Sequence, residues 1–273
     1  MLPLLHLGPN LYIPTYFVWA SVTYSLCLIY LAHRAERLEM PRKLALDLAF
    51  IVMIGGFIGA RLFSVFYEEW PFYRKHPLMI FEFWHGGFVF YGGLLGALLA
   101  GAIALRIRRE KFWPWADFFA PILALGYGVG RIGCLLAGCC YGKPCHLPWA
   151  ITFHYPWLPK GPRQPTEIYA SISGFIVFII LTRFEKEIRA RADRPTTMPD
   201  GTASFDALKS SGYLFSVWLV LHAIGRIIME HYRADWRGPD IMGLSISTVI
   251  SIFAIIFAVT NLIRLERRSQ KIT

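Results

Sequence analysis

Residues 126–142 read GYGVGRIGCLLAGCCYG and place one arginine inside an apolar, glycine-rich run that also holds three cysteines. The interpretation of this guanidinium depends on whether the segment lies in the core of a soluble protein or in a membrane. The composition decides between them, because 55% of the residues are hydrophobic, only 17% are charged, and the mean hydropathy is +0.45. Soluble domains carry about 25% charged residues. We therefore interpret the long apolar runs as membrane-spanning helices.

Seven apolar segments have roughly the 20 residues that a helix needs to cross a bilayer. They predict an all-α, polytopic membrane protein that forms a single integral membrane domain over residues 1–273. The predicted spans are 12–33, 45–67, 87–105, 115–137, 166–183, 212–231 and 240–263. Residues 190–210 are rich in Pro, Thr, Ser and Asp, which predicts a flexible connector. The first residues lack a basic n-region, so we expect no cleaved signal peptide.

The basic residues predict the orientation of these spans. Eighteen Lys and Arg follow the first, third, fifth and seventh spans, and seven lie on the other side. An excess of basic residues marks the cytoplasmic side, so we expect an external N-terminus and a cytoplasmic C-terminus. The net charge of +10 then reflects topology and headgroup contacts, and we expect no nucleic-acid partner.

Three arginines, Arg61, Arg131 and Arg226, lie inside or at the end of a predicted span. A charge at membrane depth costs about 2.5–3.5 kcal/mol on insertion scales, so each needs a partner, a polar cavity or a function. If the three share a cavity, an anionic ligand would relieve their repulsion. Arginine suits a phosphate because its planar guanidinium donates two hydrogen bonds at once.

The sixth span carries a polar face formed by His222, Arg226, Glu230 and Arg233. Their spacings of three and four residues put them on one side of a helix. This face fits two interpretations. It can be a structural ion pair of Arg226 with Glu230, or part of an anion site.

Glycine pairs in WHGGFVFYGGLLGALLAG, residues 84–101, also have two interpretations. Small residues let membrane helices approach closely, which would make them packing residues. Irregular backbone beside Trp84, His85 and Tyr91 would instead line a cavity, since membranes tolerate such backbone only there or inside protein.

Cys134, Cys139, Cys140 and Cys145 follow a C-x4-C-C-x4-C pattern, whereas Cys27 stands alone. The pattern differs from the C-x2-C pairs of structural zinc sites. Three possibilities stay open for the four: a disulfide from Cys145 to Cys139 or Cys140 on the outer face, free packing cysteines, and a redox or metal role.

Five motifs occur in one order along the chain: GARLF, WHGGFVFYGGLLG, GRIGCLLAGCCYG, RQPTEIYA and GRIIMEHYRAD. In that order they resemble the phosphatidylglycerol:prolipoprotein diacylglyceryl transferase family. The resemblance implies transfer of a diacylglyceryl group from phosphatidylglycerol to the lipobox cysteine thiol of a prolipoprotein signal peptide, with release of glycerol phosphate. It implies no metal and no other cofactor.

The resemblance also suggests roles for particular residues. Arg131 and Arg226 become the expected binders of the lipid phosphate, and Glu230 orients Arg226 or contacts substrate. The expected supporting residues are Arg61, Tyr16, Gly92, Gly142, Arg163, Tyr169, His222 and Arg233.

This chain departs from the family pattern at three places. Many members have His where this chain has Tyr91, and the nearest histidine is His85. Cys134 and Cys139 stand where the family usually has Asn and an acidic residue, and Ala137 replaces a further Asn. The general base is therefore either His85, since an imidazole has an unperturbed pKa of about 6.5, or Tyr91, whose phenol would need strong help from arginines.

Because of these replacements, two other functions stay open beside the activity of the family. One is a relative that transfers a lipid group to another acceptor. The other is a membrane thiol redox protein or an anion transporter, although the chain shows none of the internal repeats that many transporters have.

Overall fold

A computed structural model describes residues 4–8, 11–82, 87, 89–153, 160–192, 212–235 and 243–270. The long helices of this part of the chain are α1 (Thr15–Arg37), α2 (Arg42–Phe63), α4 (Phe90–Ile107), α5 (Phe112–Ala137), α6 (Thr166–Ala192), α7 (Tyr213–Tyr232) and α8 (Ile246–Gln270). Six segments are long and apolar enough to cross a membrane, and the apolar helix in the third predicted position is shorter. The predicted all-α, polytopic membrane fold is confirmed.

Several short elements were not predicted. A π-helical turn (Ser64–Glu68), helix α3 (Trp70–Tyr73) and a 3-10 turn (Pro77–Phe81) connect α2 to the segment before α4. Strands β1 (Leu4–Gly8) and β2 (Leu11–Pro14) form an antiparallel hairpin, as do β3 (Ile151–Thr152) and β4 (Pro162–Arg163). The predicted flexible connector of residues 190–210 lies mostly outside the described residues.

Helices α1 and α8 begin later than predicted, for local reasons. Pro14 disfavours a helical conformation at Ile13, so residues 11–14 stay extended and α1 begins at Thr15. Helix α8 begins at Ile246 instead of residue 240. Ser245 caps it, because its hydroxyl accepts a hydrogen bond of 3.2 Å from the backbone N–H of Thr248.

The chain packs as two compact units, and the predicted single domain stays a prediction. The first unit comprises Met1–Cys27 with Trp113–Thr273, and the second is Leu28–Phe112. In the second unit α2 and α4 pack through glycines: a side chain at Gly92 would overlap the carbonyl of Gly59 and the ring of Phe63. This contact favours the packing interpretation of the glycine pairs.

Helix α5 organises the first unit. The Trp19 indole of α1 donates a 2.8 Å hydrogen bond to the Val129 carbonyl of α5. Gly128 of α5 lies against Gly174 of α6, where an added Cβ would come within 2.7 Å of the Gly128 backbone. These contacts bring neighbouring helices close to the segment that carries Arg131.

The start of α7 is tied to α5 by Asp117. Its carboxylate accepts hydrogen bonds from the backbone N–H groups of Gly212 (2.6 Å) and Phe215 (2.7 Å). A carboxylate at a helix N-terminus satisfies free N–H groups and complements the positive end of the helix dipole. Asp117 therefore anchors the helix that presents His222, Arg226 and Glu230.

Candidate functional site

Arg131 lies on α5, one turn after Tyr127, and its guanidinium carbon sits 4.8 Å from the centre of the Tyr127 ring. A cation over an aromatic face gains electrostatic stabilisation from the ring. Within the described part of the chain, no carboxylate lies within ion-pair distance of Arg131. Its charge therefore stays available for an anion.

Tyr127 connects Arg131 to the polar face of α7. Its ring meets His222 edge to face at 4.7 Å, and His222 stacks on Trp218 at 5.3 Å. A cavity of about 10 Å³ beside these rings has room for about one water molecule. The structure thus brings both Arg131 and His222 into contact with the ring of Tyr127.

Arg226 is buried, with 7% of its surface exposed. It donates a 2.9 Å hydrogen bond to the Ser247 hydroxyl of α8, and its guanidinium lies 3.6 Å from the Glu230 carboxylate. The buried Nε atom of Arg226 has no hydrogen-bond partner among the described residues. The predicted pair with Glu230 is present, and one donor of Arg226 is still free for a ligand.

Arg233, just after α7, forms the tightest ion pair of this region. Its Nε and one terminal nitrogen donate to the two carboxylate oxygens of Asp235 at 2.9 and 2.7 Å. Burial raises the pKa of Asp235 above its usual range, against the lowering effect of Arg233. Sequence reasoning did not single out Asp235, although the acidic residue two positions after Arg233 was a visible signal.

The loop after α5 is held against the end of α7 and the start of α6. The backbone of Gly142 pairs with Arg233 on one side, and its N–H donates to the Gln164 carbonyl at 3.1 Å on the other. A Cβ at Gly142 would lie 2.5 Å from that carbonyl oxygen, so only glycine fits. Arg163 donates to the Gly142 carbonyl at 3.1 Å and lies over the Tyr141 ring. Gly142 and Arg163 thus build the loop.

Helix α6 begins at this loop with Thr166 and Glu167, which are 2% and 1% exposed. The Thr166 hydroxyl donates a 2.7 Å hydrogen bond to the Cys140 carbonyl. Both carboxylate oxygens of Glu167 are buried without a hydrogen-bond partner among the described residues. Glu167 lies within electrostatic range of Arg131 and Arg233. Sequence reasoning missed it, because nothing in RQPTEIYA distinguishes a buried carboxylate from a solvated one.

The cysteines at the end of α5 form a cluster in which the sulfur atoms of Cys134, Cys139 and Cys140 all lie within 4.8 Å of one another. All five cysteines are free thiols, and the disulfide from Cys145 to Cys139 or Cys140, one of the three possibilities, is not formed. The reason is local: the backbone turn directs Cys139 and Cys140 toward Cys134, while the Cys145 N–H bonds to the Pro162 carbonyl.

The pKa values of Cys139 and Cys140 are shifted in opposite directions. Hydrogen bonds from Cys134 and Cys139, helped by Arg233 and Arg131, hold the pKa of Cys140 well below its usual range. Hydrogen bonds with Cys134 and Cys140 raise the pKa of Cys139 far above its usual range. The lowered pKa of Cys140 favours its thiolate form over that of Cys139.

Two tyrosines expected to support the site lie at its edges. Tyr16, in the first turn of α1, is 45% exposed and lies within electrostatic range of Arg131 and the cysteine cluster. The Tyr169 hydroxyl accepts a 2.6 Å hydrogen bond from the Trp149 indole, and its ring lies near Tyr232.

Arg61 belongs to the second compact unit and has a different environment. It donates to the carbonyls of Met79 (2.8 Å), Ile80 (3.0 Å), Glu82 (3.2 Å) and Gly87 (3.4 Å). Its guanidinium also lies over Tyr73, beside a cavity of about 470 Å³. The bonds to carbonyls make Arg61 a brace for the segment after α3.

Neither candidate for the general base is placed by the structure. His85 and the side chain of Tyr91 lie outside the described residues. Gly92 follows Tyr91 inside α4 and faces α2, so it has a packing role there.

Comparison with known proteins identifies the family of this chain. The profile of the family described as prolipoprotein diacylglyceryl transferase matches residues 3–264. A phosphatidylglycerol–prolipoprotein diacylglyceryl transferase of Geobacter sulfurreducens is 30% identical over 259 residues, which is 89% of this chain and 90% of that protein. Proteins of the same name from Symbiobacterium thermophilum (31%; 68% of this chain, 64% of its own length) and Clostridium tetani (30%; 78% and 77%) are also similar.

The matched profile extends over nearly the whole chain, from β1 to α8, and includes the segments that carry Arg131, Arg226 and Glu230. A redox protein or an anion transporter finds no support in these relatives. The chain is a membrane transferase that belongs to the prolipoprotein diacylglyceryl transferase family.

Proposed function

We propose that Arg131 binds the phosphate of phosphatidylglycerol while the diacylglyceryl group passes to the lipobox cysteine of a prolipoprotein. The observation that carries this proposal is the contrast of Arg131 with the two arginines on the polar face of α7. Arg226 and Arg233 each have a carboxylate partner, whereas Arg131 is stabilised by the Tyr127 ring and has none in the described chain. The phosphodiester of phosphatidylglycerol carries one negative charge and would supply the missing anionic partner.

The chemistry of the transfer explains why a guanidinium is needed. As a member of this family, the protein transfers a diacylglyceryl group from phosphatidylglycerol to prolipoprotein. The acceptor thiolate forms a carbon–sulfur bond at the glyceryl carbon, and the carbon–oxygen bond to the phosphate breaks. The bonding electrons go to the phosphate oxygen, so negative charge grows on the leaving glycerol phosphate. A fixed cation at that oxygen lowers the barrier.

The polar face of α7 assists Arg131, because its His222 contacts the same Tyr127 ring. Arg226 has a free Nε donor and is oriented by Ser247 and Glu230. Arg233 is held rigidly by Asp235 and lies within electrostatic range of Cys140. In this proposal Arg226 contacts the headgroup and Arg233 adds to the positive potential of the site.

The reaction also needs a proton acceptor for the thiol, because the thiolate is the nucleophile. His85 and Tyr91 keep this role as predictions from the sequence. Glu167 joins them, because its buried carboxylate has no partner in the described chain and lies close to Arg131. The variants H85A, Y91F and E167Q distinguish these three candidate bases. Loss of kcat together with a changed pH profile identifies the base. Substitution of a purely structural residue changes only the stability of the protein.

The membrane setting follows from the same reasoning. We propose a cytoplasmic (inner) membrane protein with an external N-terminus and a cytoplasmic C-terminus, as the basic residues indicate. Phosphatidylglycerol then reaches the site from the outer leaflet. A reporter fused to either terminus tests the orientation.

The deciding experiment is complementation of a bacterium depleted of its own diacylglyceryl transferase. The unaltered chain should add the diacylglyceryl mass to prolipoprotein, as read by mass spectrometry. R131A and R226A should abolish the modification, while R264A, which changes an exposed arginine of α8, should leave it unchanged. If R131A modifies prolipoprotein as well as the unaltered chain does, the phosphate role of Arg131 is wrong.

A further inference from the structure

The cysteine cluster at the end of α5 is not needed for the transfer described above. Cys134, Cys139 and Cys140 each offer one sulfur, and the three atoms lie within 4.8 Å of one another. Cys134 is buried, Cys140 is half-buried and Cys139 is exposed, so the cluster can be reached from outside. Three converging thiols are a ligand set that packing alone does not require.

A helix-ending motif brings the first two sulfurs together. Gly138 has a left-handed φ of +73°, its N–H donates to the Leu135 carbonyl at 3.2 Å, and the Cys139 N–H donates to the Cys134 carbonyl at 3.1 Å. This is the Schellman arrangement, in which the side chains at the Cys134 and Cys139 positions meet. In most helices that contact is hydrophobic, whereas here it joins two thiols.

The third sulfur requires an unfavourable backbone conformation. Cys140 has a φ of +68°, which is uncommon for a residue with a side chain. The Thr166 hydroxyl holds this turn by its hydrogen bond to the Cys140 carbonyl. The first unit thus maintains a conformation that turns Cys140 back toward the other two sulfurs.

The distances suit a soft metal ion. Zinc–thiolate bonds of about 2.3 Å place three sulfurs around one ion about 4 Å apart, which is close to the observed arrangement. Three thiolates leave a net charge of −1 with a divalent ion and −2 with a monovalent one. Arg131 and Arg233, both within electrostatic range of Cys140, would stabilise such an anionic complex.

We propose that Cys134, Cys139 and Cys140 form a binding site for one thiophilic d10 cation, such as Zn²⁺ or Cu⁺. Binding forms three metal–sulfur bonds, and the protons of the bound thiols pass to solvent. The fourth position of a tetrahedral ion stays open to water or another small ligand.

The test uses the purified full-length chain in lipid nanodiscs, reduced and freed of metal. Zn²⁺ is titrated in competition with a chromogenic chelator, and Cd²⁺ is added separately to record the thiolate-to-metal absorption band. We expect one ion per chain and a Cd²⁺ band. C134S and C139S should each weaken binding by about tenfold or more. The matched controls C27S and C145S, which change cysteines outside the cluster, should bind as the unaltered chain does.

Thermal unfolding of each variant shows whether weaker metal binding comes from loss of a ligand or from loss of the fold. If C134S or C139S unfolds, C140A is used instead, since removal of any one ligand must weaken binding. Equal affinity in a folded cluster variant and in C145S overturns the proposal. The absence of a Cd²⁺ absorption band also overturns the proposal. The same holds if two of the three cysteines are isolated as a disulfide and the protein binds no metal after that disulfide is reduced.

Discussion

Arg61 and Arg131 both come from predicted membrane spans, yet their guanidinium groups have different surroundings. Arg61 donates to four backbone carbonyls of the segment after α3 and is 7% exposed. Arg131 lies over Tyr127 and has no carboxylate within ion-pair distance in the described chain. An arginine at membrane depth can therefore either stabilise a backbone segment or bind an anion. Its hydrogen-bond partners show which of these two roles it has.

The largest expected effect comes from Arg131. R131A removes the cation that would stabilise the leaving phosphate, so kcat should fall by about 10²–10³ or more. R131K should recover only part of the rate, because an ammonium lacks the paired donors of the guanidinium. Prolipoprotein modification in nanodiscs measures the rate. An R131A enzyme that unfolds at a much lower temperature would mean that Arg131, like Arg61, is mainly structural.

Arg61 should show the opposite behaviour. R61A leaves several carbonyls without their donor, and we expect the free energy of unfolding to fall by about 3 kcal/mol. Activity per folded molecule should change much less than in R131A. Denaturation in detergent measures the stability, with R74A, an exposed arginine of the same unit, as the control. A folded R61A protein without activity would place Arg61 in the site.

Glycines extend the comparison of the two units. At Gly142 an added Cβ would meet the Gln164 carbonyl at 2.5 Å, so G142A should destabilise the site loop by about 1–3 kcal/mol and lower activity. At Gly56 of α2 a Cβ would find ordinary contacts of 3.4 and 3.5 Å, and G56A should be neutral or stabilising by up to about 1 kcal/mol. Thermal unfolding and activity assays of the two variants test this difference. Similar stability and activity in G142A and G56A would contradict the conclusion that only glycine fits at position 142.

The smallest expected effect concerns Cys140. Its lowered pKa means that the thiolate is already present at neutral pH and is lost only as the pH falls through that lower value. Between about pH 6 and 8, alkylation of Cys140 in metal-free protein should therefore change little. A free thiol in the same solution, with a pKa of about 8.5, should react roughly tenfold more slowly for each unit of falling pH. Peptide mass spectrometry measures both rates. A Cys140 rate that follows the free thiol would contradict the shift.

The fold was predictable from the sequence because each membrane helix is determined within its own residues. Apolar length predicted the seven helices but not all of their bounds, and local signals at Pro14 and Ser245 account for the late starts of α1 and α8. The same holds for the polar face of α7, since helical spacing places His222, Arg226 and Glu230 on one side. The meeting of Cys134 with Cys139 at the end of α5 was not predicted.

Long-range partners were decided by the tertiary structure. The carbonyls that hold Arg61 lie 18 to 26 residues away, and Asp117 caps a helix that begins nearly a hundred residues later. The burial of Glu167 and the free charge of Arg131 also depend on which helices surround them. A sequence states which groups are charged, because charge is a property of the residue. Whether a charge is neutralised depends on the distance and direction of its neighbours, and only the folded chain sets these.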